Sequence, residues 1–447
     1  MSTLRDSIEE SLLGLPSLDE QLGSFEGVER SGYVTAVTGT VIRAIVPDVR
    51  IGEICRIERA GMPPLEAEVV GFDRQDVVLL PLGRLEAIAI KAFVAPSGAA
   101  PTVPAGPAVR GRVLDAMGQP IDGLGPINSA QRAPMVAPPP NPLHRVRITK
   151  PISTGVRAID GLLTLGRGQR VGIFAAAGVG KSTLLSMIAR NVEADSVVLA
   201  LIGERGREVV GFLEDDLGEE GMKKSTVVVS TSDQPALLRL KAAYTATAIA
   251  EEARRRGEQV VLMMDSVTRF ARALREVGLA AGEPPGRQGY PASVFATLPT
   301  LFERAGNDEY GSITALYTVL VAGDDLEEPV ADETISLLDG HIILSRKLAA
   351  RGHYPAIDVI RSKSRLMDEI TDKSHRAAAR RAGQVLAVYE ENYDKISVGV
   401  YETGSDERVD ESIERIRDVE GYLRQEKHGP QSLTQSVNEL ETLFPDA

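Results

Sequence analysis

The feature that most narrows the fold is the run Ala175-Ala176-Ala177-Gly178-Val179-Gly180-Lys181-Ser182, set between an apolar strand-like stretch over 171–175 and a helix-like run over 183–188. Small residues between a strand and a helix N-terminus let backbone N–H groups approach a polyphosphate, and the helix end adds favourable polarity. In that setting Lys181 reaches the β and γ phosphates and Ser182 ligates magnesium. Ala177, Gly178, Val179, Gly180 and Thr183 complete the cradle, so ATP and Mg2+ are the expected ligands. The strict pattern has glycine where this chain has Ala175; alanine serves if that position needs no positive φ.

The surrounding pattern suits such a loop. From about residue 148, apolar strands over 171–175, 197–202, 226–230, 260–264, 313–321 and 341–344 alternate with helical segments. That alternation predicts a largely parallel sheet covered on both faces. Pro235 and Gly257 punctuate one of the helices. Strand 260–264 ends in Asp265, where a carboxylate at the sheet's C-terminal edge stands near the magnesium. Strand 197–202 runs into Gly203-Glu204-Arg205-Gly206-Arg207-Glu208. A carboxylate beside the γ phosphate polarises the attacking water; Glu204 is assigned that role, with Glu208 its competitor and a surface ion-pair cluster the structural alternative.

At 447 residues, 43% of them apolar, the chain is long enough for two or three domains with substantial cores. Short strands over 33–37, 41–46, 51–57, 65–70 and 77–80, broken by Gly, Pro and Asp, predict a small β-barrel or sandwich. A proline-dense connector follows over 96–142, within which 109–122 reads as ordered extended structure with a turn, and an Ala-, Arg- and Glu-rich helical stretch follows Arg365. The boundaries expected are 1–28 for an N-terminal helical segment, 29–95 for the barrel, 96–365 for the nucleotide-binding domain with its connector, and 366–447 for a helical domain. Leu4, Ile8, Leu12 and Leu13 recur at helical spacing, marking an amphipathic segment for a partner, a membrane surface or the chain's own barrel. A net charge of −13 speaks against a nucleic-acid-binding role. The single cysteine, Cys55, cannot form an intrachain disulfide and fits a reducing cytoplasm.

Five stretches carry a family resemblance: PISTGVRAIDGLLTLGRGQRVGIFAAAGVGKSTLL, ALIGERGREVVGFLEDDLGEEG, DSVTRFARALREVGLAAGEPP, YTVLVAGDDLEEPVADE and LLDGHIILSRKLAARGHYPAID. The chain resembles the hexameric ATPases related to the catalytic β subunit of rotary ATP synthases, and most of all the type III secretion and flagellar export ATPases. The resemblance implies a RecA-like P-loop domain between a β-barrel and C-terminal helices. It implies that Lys181 and Ser182 hold phosphate and magnesium, that Glu204 activates water, and that Arg205 and Arg269 lie near the phosphates. It also implies that Tyr354 stands beside the base and that Arg365 is the arginine finger entering a neighbour's site. The loop around Gly286, Tyr290 and Pro291 corresponds to one facing the central channel. The implied partners are copies of itself in a homohexamer, central stalk and stator-like regulatory proteins, and secretion chaperones and substrates. The implied location is the cytoplasm, peripheral to the inner membrane.

The stretches over 400–406 and 422–425 depart from the acidic run and the Pro-Phe pair of synthase β subunits, which favours a secretion ATPase. The run over 215–221 looks more like the injectisome branch; the ending Leu443-Phe444-Pro445 is also seen in flagellar relatives. Two other readings are a non-catalytic nucleotide-binding ring subunit, against which Glu204 speaks, and an RNA-translocating helicase, against which the acidic balance speaks.

Overall fold

The computed structural model describes residues 31–323 and 325–445, so the amphipathic segment around Leu4, Ile8, Leu12 and Leu13 lies outside the described residues. The chain divides into two compact units, Met1–Ala100 and Pro101–Ala447.

In the first unit, six strands, β1 Gly32–Thr38, β2 Val41–Ile45, β3 Ile54–Arg59, β4 Met62–Asp73, β5 Asp76–Pro81 and β6 Phe93–Pro96, close into a barrel in the order β1-β2-β5-β4-β3-β6. All neighbours are antiparallel, and β6 returns to β1, so no strand edge is left unpaired. Alternate residues, among them Val34, Ile42, Cys55, Ile57, Leu79 and Val94, fill the interior. Burial, helped by the charge of Glu53, pushes the Cys55 thiol up to about 12, which makes it an inert core residue. The strand expected from residue 51 starts at Ile54 because Gly52, with φ of 87°, turns the chain just before it. Strand β4 is longer than the expected 65–70; it takes in Pro63 and Pro64 where the register with β3 shifts, a place that tolerates missing N–H donors.

The second unit is built on a long sheet. Its main strands are β7 Val113–Asp115, β8 Arg170–Ala175, β9 Ser196–Glu204, β10 Ser225–Thr231, β11 Gln259–Asp265, β12 Ser312–Leu320, β13 Gly340–Leu344 and β14 Ile357–Ser364. They lie in the order β14-β13-β8-β12-β11-β9-β10-β7, and along this path only β14 runs antiparallel to its neighbour. The proline-dense connector therefore supplies an edge strand, β7, paired in parallel with β10. It lies in the stretch 109–122 that reads as extended; its partner, over 227–229, is not visible from that stretch.

The principal helices are α1 Arg157–Leu162, α2 Lys181–Asn191, α3 Ala236–Arg255, α4 Val267–Ala280, α5 Ala292–Phe302, α6 Lys373–Ser397, α7 Glu407–Leu423 and α8 Leu433–Leu443. Ala378, Ala382 and Val385 of α6, Tyr422 and Leu423 of α7 and Leu440 of α8 share one apolar core with Ile159 of α1 and Ile188 of α2. The C-terminal helices are thus welded to the nucleotide-binding fold. His375 reinforces the weld, its Nε2 donating to the Gly161 carbonyl at 2.7 Å.

Beneath α3, Arg304 and Glu251 form a two-bond pair (2.9 and 2.7 Å) with side chains 2% and 3% exposed, and Arg304 also donates to the Met135 carbonyl of the connector at 3.1 Å. Glu251→Ala strands a buried guanidinium, and we expect a loss of about 3–5 kcal/mol in urea unfolding.

Candidate active site

The parallel strands deliver their C-terminal ends to one edge, and there the sequence places its chemistry. Ala175 closes β8, opposite Leu320 of β12 and Leu344 of β13. It sits in extended backbone, which is why alanine is accommodated there. The loop that follows turns through Gly178 (φ 81°) and Gly180 (φ 89°), and α2 begins at Lys181. These left-handed conformations are open to glycine and strained for other residues. A Cβ at Gly180 would stand 3.5 Å from the Tyr354 ring, which places that half-exposed ring directly against the loop.

Strand β9 ends in Glu204 and β11 in Asp265, with Leu201 opposite Asp265 in the ladder. The Lys181 ammonium is ion-paired with Asp265 Oδ1 and lies 3.8 Å from Glu204 Oε1. Thr318 of β12 donates its hydroxyl to the same Asp265 oxygen at 2.8 Å. Arg269, on the first turn of α4, donates to Glu204 Oε2 at 3.2 Å. Its side chain passes over Gly203, where a Cβ would come within 3.0 Å of the Arg269 Cδ.

Glu204 is 9% exposed, and its Oε1 is buried without a hydrogen-bond partner among the described residues. Burial, reinforced by the charge of Asp265 and by a hydrogen bond with Glu208, pushes its carboxyl up to about 7 against the pull of Lys181 and Arg269. Glu208 moves the opposite way: the hydrogen bond with Glu204, aided by Arg205 3.1 Å away, holds it below the usual carboxylate range. The proton of this pair therefore rests on Glu204.

Lys181, Glu204, Asp265 and Arg269 are thus in one cluster, with Tyr354 beside the loop. Arg205 stays on the rim, its side chain 65% exposed. Arg365 is elsewhere. It follows Ser364, which pairs with Gly340 at the start of β13, whereas the phosphate loop adjoins Leu344 at that strand's other end. The exposed Arg365 guanidinium donates to the Ile335 carbonyl at 3.1 Å, and no bond among the described residues ties it to the cluster. Two contributors escaped the sequence reading. Thr318 was signalled only by being a hydroxyl in a buried apolar strand. Gln425 closes the 422–425 stretch that departs from the synthase pattern, but its contacts were not legible there: its N–H donates to the Tyr354 carbonyl at 2.9 Å, and its side chain bonds Gly155 and Arg157 from the far end of the chain.

The Ser182 hydroxyl and the Asp265 carboxylate are the oxygen donors offered to a hard cation. Among the described residues, no group of three or more His, Cys, Asp or Glu gathers as a metal cage. A magnesium held largely through phosphate oxygens requires none.

A strand–loop–helix phosphate grip with acids at two neighbouring strand ends defines a P-loop nucleoside triphosphatase. Comparison narrows the class. The profile of the ATP synthase alpha/beta family, nucleotide-binding domain, matches residues 155–364, and that of the T3SS EscN ATPase C-terminal domain matches residues 371–442. The flagellum-specific ATP synthase of Bacillus subtilis is 48% identical over 435 residues, spanning 96% of this chain and 98% of that protein. The type 3 secretion system ATPase of Xanthomonas euvesicatoria is 50% identical over 410 residues, 92% of this chain and 93% of that protein. The solved structure of the assembled ATPase EscN from the enteropathogenic E. coli type III secretion system superposes with a TM-score of 0.88 at 44% identity, covering 92% of this chain and 99% of that one. The chain belongs to the type III secretion and flagellar export ATPases of the ATP synthase alpha/beta family.

The raised Glu204 carboxyl has a consequence for stability. Below its ordinary value of 4.5 both folded and unfolded chains hold the proton; as pH rises towards 7 the unfolded chain releases it first, so stability falls across that window. Glu204→Gln, which mimics the protonated form, is expected to raise the melting temperature of the nucleotide-free protein at pH 8 by about 2–4 °C. The gain should narrow towards pH 5 in a series of thermal melts.

Proposed function

We propose that this chain is the ATPase of a type III protein secretion system. It hydrolyses Mg-ATP at the subunit interfaces of a homohexamer to drive chaperone release, unfolding and export of secreted proteins. The observation that carries this reading is the gathering of Lys181, Glu204 and Asp265 at one sheet edge while Arg365 stands at the other. A base and a phosphate grip are present in each subunit, but its own arginine finger is turned away, so a neighbour has to supply one.

The residues fit the ligands. The unpartnered Glu204 Oε1 is a ready acceptor for a water proton, and the loop glycines leave room for phosphate oxygens. Ser182 and Asp265 are the residues that would hold magnesium, which would supply charge neutralisation on the phosphates. Lys181 holds the β and γ phosphates and leaves Asp265 as it does so. Glu204 orients the water and takes its proton, with Arg269 fixing the carboxylate and Arg205 at the rim. Tyr354 lies against the base. Arg365 of the adjacent copy stabilises charge on the transferring phosphoryl group.

The assembly of EscN, and its solved complex with the central stalk EscO, which matches this chain with a TM-score of 0.86, support self-association and a stalk partner. Stator-like regulators, chaperones and secreted substrates complete the proposed partners. The site of action is the cytoplasmic face of the inner membrane. No helix of the described residues is long and apolar enough to cross a membrane, so attachment there is peripheral in this reading. A flagellar export ATPase is the second reading, favoured by the near full-length match to the Bacillus subtilis protein. Neighbouring genes for needle or flagellar components distinguish the two.

Glu204→Gln is expected to cut turnover by about 10²–10⁴-fold with ATP binding retained. Arg365→Ala should cost about 10³-fold in kcat and leave nucleotide affinity of the isolated subunit unchanged. Steady-state ATPase assays paired with fluorescent-nucleotide titrations check both; equal activity of Glu204→Gln and the parent would remove the assignment.

A further inference from the structure

The segment 424–429, where the chain leaves α7, ties together parts of the nucleotide-binding fold that are far apart in sequence. Its centre is Gln425, which is 8% exposed. The Gln425 Nε2 donates to the carbonyls of Gly155 at 2.8 Å and Gly429 at 2.7 Å, and its Oε1 accepts the Arg157 N–H at 2.8 Å. Two carbonyls at the nitrogen and an N–H at the oxygen allow one orientation of the amide. With the side chain fixed in this way, the Gln425 backbone N–H meets the Tyr354 carbonyl at 2.9 Å. The same segment is bound to the C-terminal end of α2. Arg190 donates to the Lys427 carbonyl at 2.8 Å and also to the Asp216 carbonyl, while Lys427 pairs with the Asp216 carboxylate at 2.7 Å. Gly155, at φ of 77°, passes so close to Asn191, the last residue of α2, that a Cβ there would meet its side chain.

Tyr354 belongs to the connection between β13 and β14, and its ring is half-exposed. A ring on such a connection keeps its distance from α2 only if its backbone is tied to something that is itself tied to α2. The segment 424–429 meets both conditions, bonding Tyr354 through Gln425 and α2 through Arg190. We propose that Gln425 is a positioning residue for ATP: by holding the Tyr354 backbone relative to α2, it sets the gap between the Tyr354 ring and Gly180 and so the place of the base. The inference rests on the reading of Tyr354 as the residue beside the base. Gln425 itself does not contact the nucleotide, because its amide is turned to Gly155, Arg157 and Gly429. A ring already in place loses little freedom when the base arrives, so its contribution appears in affinity. The base is remote from the γ phosphate, and an interaction equal in ground and transition states moves KM and leaves kcat alone.

The test is a set of steady-state ATPase assays on the full chain, comparing the parent with Gln425→Glu, Gln425→Met and Tyr354→Ala. Magnesium tripolyphosphate, which carries the phosphates without a base, serves as a competitive inhibitor. Glutamate keeps the shape of Gln425 but sets a carboxylate oxygen against two carbonyls; methionine keeps the length and removes the amide. Loss of base stacking in Tyr354→Ala should raise KM for ATP about fivefold or more. Each Gln425 variant should raise KM several-fold, up to the value of Tyr354→Ala, hold kcat within about twofold, and leave the tripolyphosphate inhibition constant unchanged. Combining either with Tyr354→Ala should raise KM no further, as expected of residues acting through one contact. Melting curves verify folding; if neither buried substitution folds, Lys427→Ala, whose side chain is 31% exposed, loosens the same segment and should give the same pattern. Unchanged KM in the folded variants while Tyr354→Ala raises it overturns the inference and leaves the base reading standing. A loss confined to kcat, or tripolyphosphate inhibition weakened in step with ATP binding, also overturns it, since either marks a general disturbance of α2. Unchanged KM in Tyr354→Ala overturns the base reading and the inference with it.

Discussion

The Lys181 ammonium, held between Asp265 and Glu204, is the contact on which the site depends. Two carboxylates this close in a buried place repel each other, and removing them from water costs several kcal/mol per ion. One cation from the loop and one from α4 offset that cost, incompletely, and the shortfall appears as the proton that Glu204 retains up to about 7. The cluster is therefore poised. In the proposed mechanism a polyphosphate draws Lys181 away and frees Asp265 for a cation, which would relieve the Asp265 repulsion that adds to burial in raising the Glu204 carboxyl. In that mechanism substrate arrival and readiness of the base are linked through charge.

The sheet makes this cluster possible and also limits it. Parallel strands bring Ala175, Glu204 and Asp265 to the same edge with no long loops to order. The same arrangement, with β14 reversed, carries Arg365 to the other edge. One strand direction thus puts the loop and Arg365 at opposite edges of the sheet, and in the proposed mechanism hydrolysis is then a property of an interface. The C-terminal helices share a core with α1 and α2, so a shift of either is felt by the loop.

Much of this was legible in the sequence because the relevant signals are local. The loop reads as strand, small residues and helix; Asp265 and Glu204 close apolar runs; the barrel announces itself through short alternating strands. What the sequence concealed depends on distance. The stretch 109–122 reads as extended, but nothing in it shows that Val113–Asp115 pairs with 227–229, and the bond of Thr318 to Asp265 joins residues 53 positions apart. Gln425 reaches Gly155 across 270 positions. The sequence ranks Glu204 ahead of Glu208 but leaves a surface ion-pair cluster open there; the burial of Glu204 and the exposure of Glu208 set the two apart.

The central claim is that each active site takes its base from one copy and its arginine from the next. It is tested most directly by co-expressing Glu204→Gln and Arg365→Ala chains under different tags, purifying mixed rings through both tags, and measuring ATP turnover. The account predicts that mixed rings regain a substantial part of the parent's activity, because interfaces pairing an intact Glu204 with a neighbour's intact Arg365 are restored. Mixed rings no more active than either variant alone would contradict it.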